Sequence, residues 1–92
     1  MNDYKSIPRN EFFVYCKRAF ESFRLSTYMT DRYLRYIEYI SQYMEDMNID
    51  YYDLNFSLAF QEKIAKADNS PNQRKSKEYS CALSLIDRFI QG

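Results

Sequence analysis

Histidine and tryptophan are absent from this 92-residue chain, glycine occurs once and proline twice. Without histidine the commonest general base and metal ligand at neutral pH is missing, and neither cysteine has the imidazole partner that a nucleophilic thiol usually needs. A single glycine, Gly92, cannot build the glycine-rich loop that cradles phosphates. Scarcity of turn formers also disfavours a meander of short strands joined by tight reversals. No apolar run approaches the roughly 20 residues of a membrane span, so a membrane partner is not expected. Cys16 and Cys81 show no CxxC spacing and follow no secretory segment, and both are read as reduced core thiols of a cytoplasmic protein. Adjacent Glu45 and Asp46 diverge by about 100° on a helix and do not form an acid–base pair. No cofactor, metal centre or independent catalysis is expected.

Aromatic bulk is plentiful instead, with 10 Tyr and 7 Phe. Apolar residues recur at helical spacing in four segments separated by short polar connections, which predicts one all-α domain with helices over about 9–24, 29–47, 54–67 and 73–91. The first follows Ile7-Pro8, proline being tolerated at a helix start, and gathers Phe12, Phe13, Cys16, Phe20 and Phe23 on one face. The second starts at a hydroxyl cap between Ser26 and Thr30 and carries Met29, Tyr33, Tyr36, Ile37, Ile40, Tyr43, Met44 and Met47. Asp53 or Asn55 caps the third, which carries Leu58, Ala59 and Ile64; the fourth buries Tyr79, Ala82, Leu83, Ile86, Phe89 and Ile90 and stops at Gly92. Ile40 and Leu83 sit mid-stripe and are expected at the centre of the core. No strand-like alternation of convincing length is present.

Acidic and basic side chains balance at 13 each, but their placement is uneven. Residues 1–25 carry five bases against three acids, 26–52 two against five, and 71–92 four against two. Arg32, Arg35, Tyr39 and Gln42 align on one stripe of the second helix, and Arg74, Lys77, Ser84 and Arg88 on one of the fourth. Tyr28 and Tyr39 are the tyrosines expected to reach a partner. The fourth helix opens on "SPNQRKSK", three cations in its first turn, where the helix dipole favours acids and bases cost roughly 0.3–1 kcal/mol each. An anion at that terminus would resolve the conflict, and a DNA phosphate would meet both side-chain charge and free backbone N–H groups.

The stretch "FESFRLSTYMTDRYLRYIEYISQYMEDMNIDYYDL" resembles the N-terminal core-binding domain of tyrosine-type site-specific recombinases, the phage integrases, at Thr30, Tyr33, Ile37 and Ile40. "LSLIDRFI", Leu83 to Ile90, resembles that family's last core-binding helix, and "SPNQRKSK" stands at its basic loop. The resemblance implies a compact four-helix SAM-like bundle that clamps double-stranded DNA at the recombination core site. Carried over by position, the contacts are Thr30 as a cap, Arg32, Arg35, Asn72, Arg74, Lys75 and Lys77. Strand cleavage in the family belongs to a separate domain carrying Arg, His and Tyr, so this chain is expected to be non-catalytic and, if it is a fragment, to partner that catalytic domain. Two alternatives stay open. One is a small phage or mobile-element module that binds a protein partner through the acidic centre around Glu45, Asp46 and Asp50. The other is a structural helical module of a different DNA-processing enzyme.

Overall fold

Side-chain caps and backbone reversals set several of the helix ends in this chain. The computed structural model describes residues 6–91 and contains α1 (Arg9–Ser22), α2 (Thr27–Asp46), α3 (Leu54–Ala67) and α4 (Arg74–Gln91). The expected stop at Gly92 lies outside the described residues. Ser26, with extended backbone, caps α2 by accepting the Met29 N–H on Oγ at 3.1 Å. Thr30 is therefore not the cap: it lies inside the first turn, its own N–H bonded to the Ser26 carbonyl at 2.9 Å. Asp53 rather than Asn55 caps α3, accepting the Phe56 N–H at 2.8 Å.

With glycine scarce, left-handed backbone falls to other residues: Arg24, Asn48, Asn72 and Gln73 have φ between 53° and 57°. Asn48 closes α2. Its N–H bonds the Glu45 carbonyl at 3.2 Å while the Ile49 N–H bonds that of Met44 at 2.8 Å, the paired reversal that consumes two orphan carbonyls. Arg24 takes the same position after α1, its N–H on the Glu21 carbonyl at 3.1 Å.

One departure from a purely helical fold is a two-residue antiparallel pair, β1 (Ile7–Pro8) with β2 (Tyr51–Tyr52), in register Ile7 to Tyr52. It is too short to show as alternation in the sequence. Arg9 reinforces it: the backbone N–H donates to the Asp50 carbonyl at 2.8 Å and the guanidinium to the Ile49 carbonyl at 3.3 Å. The open end of the α1–α2 hairpin is thereby fastened.

The core lies where all four helices meet. Phe12, Phe20, Ile37, Ile40, Met44, Tyr52, Leu83 and Ile86 are buried completely, as expected for Ile40 and Leu83. Phe12 stacks on Tyr52 with ring centroids 4.5 Å apart, and Tyr43 meets Phe60 edge-on at 5.3 Å. The face of α3 differs from the expected one. Phe56, Ser57, Phe60 and Ile64 turn inward, whereas Leu58 is 66% exposed, because the Asp53 cap sets a register that aims the phenylalanines at Tyr43 and Tyr52. Met47 also stays in solvent, and Cys81 is exposed while Cys16 is buried, so only one of the two thiols belongs to the core. Burial pushes the Cys16 thiol well above its ordinary pKa, which keeps it protonated and inert.

Candidate nucleic-acid interface

The start of α4 already has its anion, and it is internal. Asp68, just after α3, reaches forward with both carboxylate oxygens: Oδ2 accepts the Ser76 N–H at 2.8 Å, and Oδ1 accepts the N–H and hydroxyl of Ser70 at 2.8 and 2.5 Å. Ser70 Oγ in turn accepts the Lys75 N–H at 3.3 Å. These bonds to the charged form, the Ser70 hydroxyl first and the Ser76 N–H next, hold the Asp68 carboxyl down at about 2. Lys75 and Ser76 N–H are consequently occupied. The expectation that a phosphate meets bare backbone donors at this helix start is corrected, because the chain fills that position itself. The reversal that brings Asp68 there runs through Asn72 and Gln73 in left-handed conformation, and the Gln73 amide donates to the Ala65 carbonyl at 3.2 Å, closing the end of α3.

The seven side chains expected on the interface differ in their freedom. Arg32 is not on an open stripe. It is half-buried at the α2–α4 seam, where Nε and Nη2 donate to the two oxygens of Glu78, the second bond at 3.0 Å, and Nη1 reaches the Tyr28 hydroxyl at 3.4 Å. The ion pair raises the Arg32 pKa further and lowers that of Glu78, so both remain charged. Arg74 approaches the same carboxylate at 3.6 Å but leaves 74% of its side chain in solvent. Glu78 thus serves two arginines, one from each helix. Arg35, Lys75 and Lys77 are exposed, and among the described residues none of the three has a carboxylate within ion-pair distance. Asn72 is exposed on the reversal beside them, and Thr30 is half-buried one turn into α2.

Two grooves open along this seam. The smaller, of 360 Å³, runs between the start of α2 and the start of α4 and is lined by Met29, Tyr33, Asn72, Arg74, Lys77 and Cys81 among others. The larger, of 580 Å³, is walled by Tyr36, Tyr39 and Tyr79 with Lys75 and Asp68 at its polar side. Tyr36 and Tyr79 pack with centroids 4.4 Å apart, and Tyr39 keeps 55% of its surface exposed. The structure thus gathers Asn72, Arg74 and Lys77 around one groove and Lys75 beside the other, and it ties Arg32 to the same seam through Glu78.

Asp68 and the tyrosine wall escape a reading of spacing. Asp68-Asn69-Ser70 carried a signal, since an aspartate two residues before a serine folds back on its own backbone. Glu78 lies four residues after Arg74, a legible helical pair. No family model, curated protein or solved structure matches the chain, so the resemblance to recombinase core-binding domains is carried by the quoted motifs alone. Among the described residues, no helix is long and apolar enough to cross a membrane.

Proposed function

We propose that this domain binds the backbone of double-stranded DNA along the edge formed by the N-terminal half of α2 and the start of α4, as the non-catalytic, SAM-like clamp of a tyrosine-type recombinase. The observation that carries this reading is the grouping of Lys75 and Lys77 around the seam where Asn72 is also exposed, with Arg35 exposed on α2; none of the three cations has an ion-pair partner among the described residues. Unpaired cations on rigid helices suit phosphate oxygens, which position a duplex without reading its sequence. Tyr28 and Tyr39, exposed on α2, add apolar contact to sugars. Neither Arg32 nor the backbone N–H groups of the α4 start count among the immediately available donors.

Salt-titrated anisotropy on unrelated duplexes tests the reading. Each lysine that neutralises a phosphate adds roughly −0.9 to the slope of log K against log salt, so Lys75→Glu with Lys77→Glu flattens it by at least about 1.8 and weakens every sequence alike. Absence of binding at low salt, or a double variant that binds as well as the native chain, overturns the reading in favour of a protein-binding module. That alternative has its own surface: Glu38 and Glu45 line a 650 Å³ groove between α1 and α2 beside half-buried Phe13. Asp50 lies 4.0 Å from Arg9 and Asp46 accepts the Gln42 amide at 2.9 Å, so the acidic centre is partly engaged within the fold.

A further inference from the structure

We propose that Glu78 is an internal stand-in for a DNA phosphate, holding Arg32 and Arg74 in the free protein and surrendering them to the backbone when a duplex binds; this rests on the DNA-binding reading above. The Arg32 fork donates two parallel bonds to the two Glu78 oxygens, the geometry in which a guanidinium grips phosphate. Arg74 Nε approaches Oε2 of the same carboxylate at 3.6 Å. One acid serving two arginines is under-supplied with charge, so the arrangement keeps a net positive residue that a polyanion satisfies better. Exposure is intermediate: 32% of the Arg32 side chain and 21% of that of Glu78 face solvent. A pair in that range is dry enough to be held and wet enough to be exchanged.

Both partners stay charged through the pH range in which such a domain folds, because each holds the other in its ionised form. Exchange is accordingly driven by a competing anion rather than by protons. Lys75 and Lys77 lie on the same turn of α4 as Arg74, so a strand that engages them lies close to the guanidinium groups. Glu78 then acts as a threshold. A single small anion gains little by displacing it, whereas a phosphate chain already held by the lysines brings its next phosphate to the arginines at high local concentration.

The test compares duplex binding by the native chain, Glu78→Gln, Arg32→Gln, Arg32→Gln with Arg74→Gln, and Glu78→Gln added to that pair. Asp31→Asn serves as a control: it removes an exposed acid one residue from Arg32 that pairs with no arginine among the described residues. Glu78→Gln is expected to bind several-fold tighter at low salt, and that gain is expected to vanish once both arginines are replaced. Replacing Arg32 alone flattens the salt slope by about 0.9 if it reaches a phosphate, and leaves it unchanged if it is purely structural. Equal gains from Asp31→Asn and Glu78→Gln, a gain that survives loss of both arginines, or no gain at all overturns the stand-in while leaving the DNA reading in place. A native chain that binds no duplex at low salt overturns both. Should Glu78→Gln fail to fold, Glu78→Asp keeps the charge but withdraws it by one methylene, and is expected to show a smaller gain of the same dependence.

Discussion

Asp68 and Asp87 are two carboxylates on which the fold places opposite demands. Asp68 accepts three hydrogen bonds in its charged form, and its pKa of about 2 lies below the ordinary aspartate value of roughly 3.9. A depressed acid contributes stability that is fully present above the unfolded value and is lost as pH falls toward the folded one. Asp68→Asn is expected to lower the thermal midpoint at pH 7 and to remove part of the acid loss between about pH 4 and pH 2; circular dichroism melts at several pH values check both. Asp87 lies deeper, accepting from the Tyr52 and Ser57 hydroxyls at 2.6 Å each, and burial raises its pKa despite those donors. Its contribution runs the other way: it favours the fold most when protonated, and the benefit diminishes as pH climbs from the ordinary aspartate value through the raised one. Tyr52→Phe removes one donor from this carboxylate at little cost in volume. Urea titration at neutral pH is expected to show a loss of about 1.5–3 kcal/mol, the range for a hydrogen bond to a charged group; no loss would mean that the hydroxyl is dispensable.

At the scale of the elements, glycine scarcity leaves its mark at the helix ends. Arg24 and Asn48 occupy left-handed positions that glycine fills more easily, and among the described residues the Arg24 side chain makes no hydrogen bond or ion pair to offset the crowding of its Cβ. Arg24→Gly is expected to stabilise the domain by about 0.5–1 kcal/mol in chemical denaturation, the steric relief exceeding the entropy that glycine adds to the unfolded chain. The helices themselves were legible because Phe12, Cys16 and Phe20, or Ile37, Ile40 and Met44, repeat with the helical period. The inward face of α3 was not. Its apolar residues are spread around the helix, and the choice between Leu58 and Phe60 is made by the Asp53 cap and by aromatic partners on other elements. The candidate site was half legible for a similar reason. Lys75, Lys77 and Arg35 announce themselves as exposed charge, but nothing local reveals that Arg32 is held by an acid 46 residues away.

For the whole molecule, stability rests on one shared core rather than on separate hairpins. Ile40 from α2 and Leu83 from α4 are both fully buried, so truncating either to alanine leaves a cavity that neighbouring helices cannot all close. A loss of about 2–5 kcal/mol is expected for each. Unfolding followed by tyrosine fluorescence and by helical dichroism should coincide, since all four helices lean on the same residues; separated transitions would show two independent cores. The neutral total charge has a counterpart in shape, with free cations along the α2–α4 seam and Glu38 and Glu45 on the α1–α2 groove.

The clasp between Arg9 and the chain around Met44 to Asp50, together with the pairing of Ile7 to Tyr52, turns the first two helices into a ring closed at both ends, by the Phe23–Ser26 turn at one and by these bonds at the other. A ring severed at one point stays in one piece. A peptide bond broken at the exposed Arg24 reversal would leave α1 hooked to the rest of the molecule without a covalent path across that gap, and the α2–α4 seam, with the Asp68–Asn72 connection that lines it, would keep its geometry.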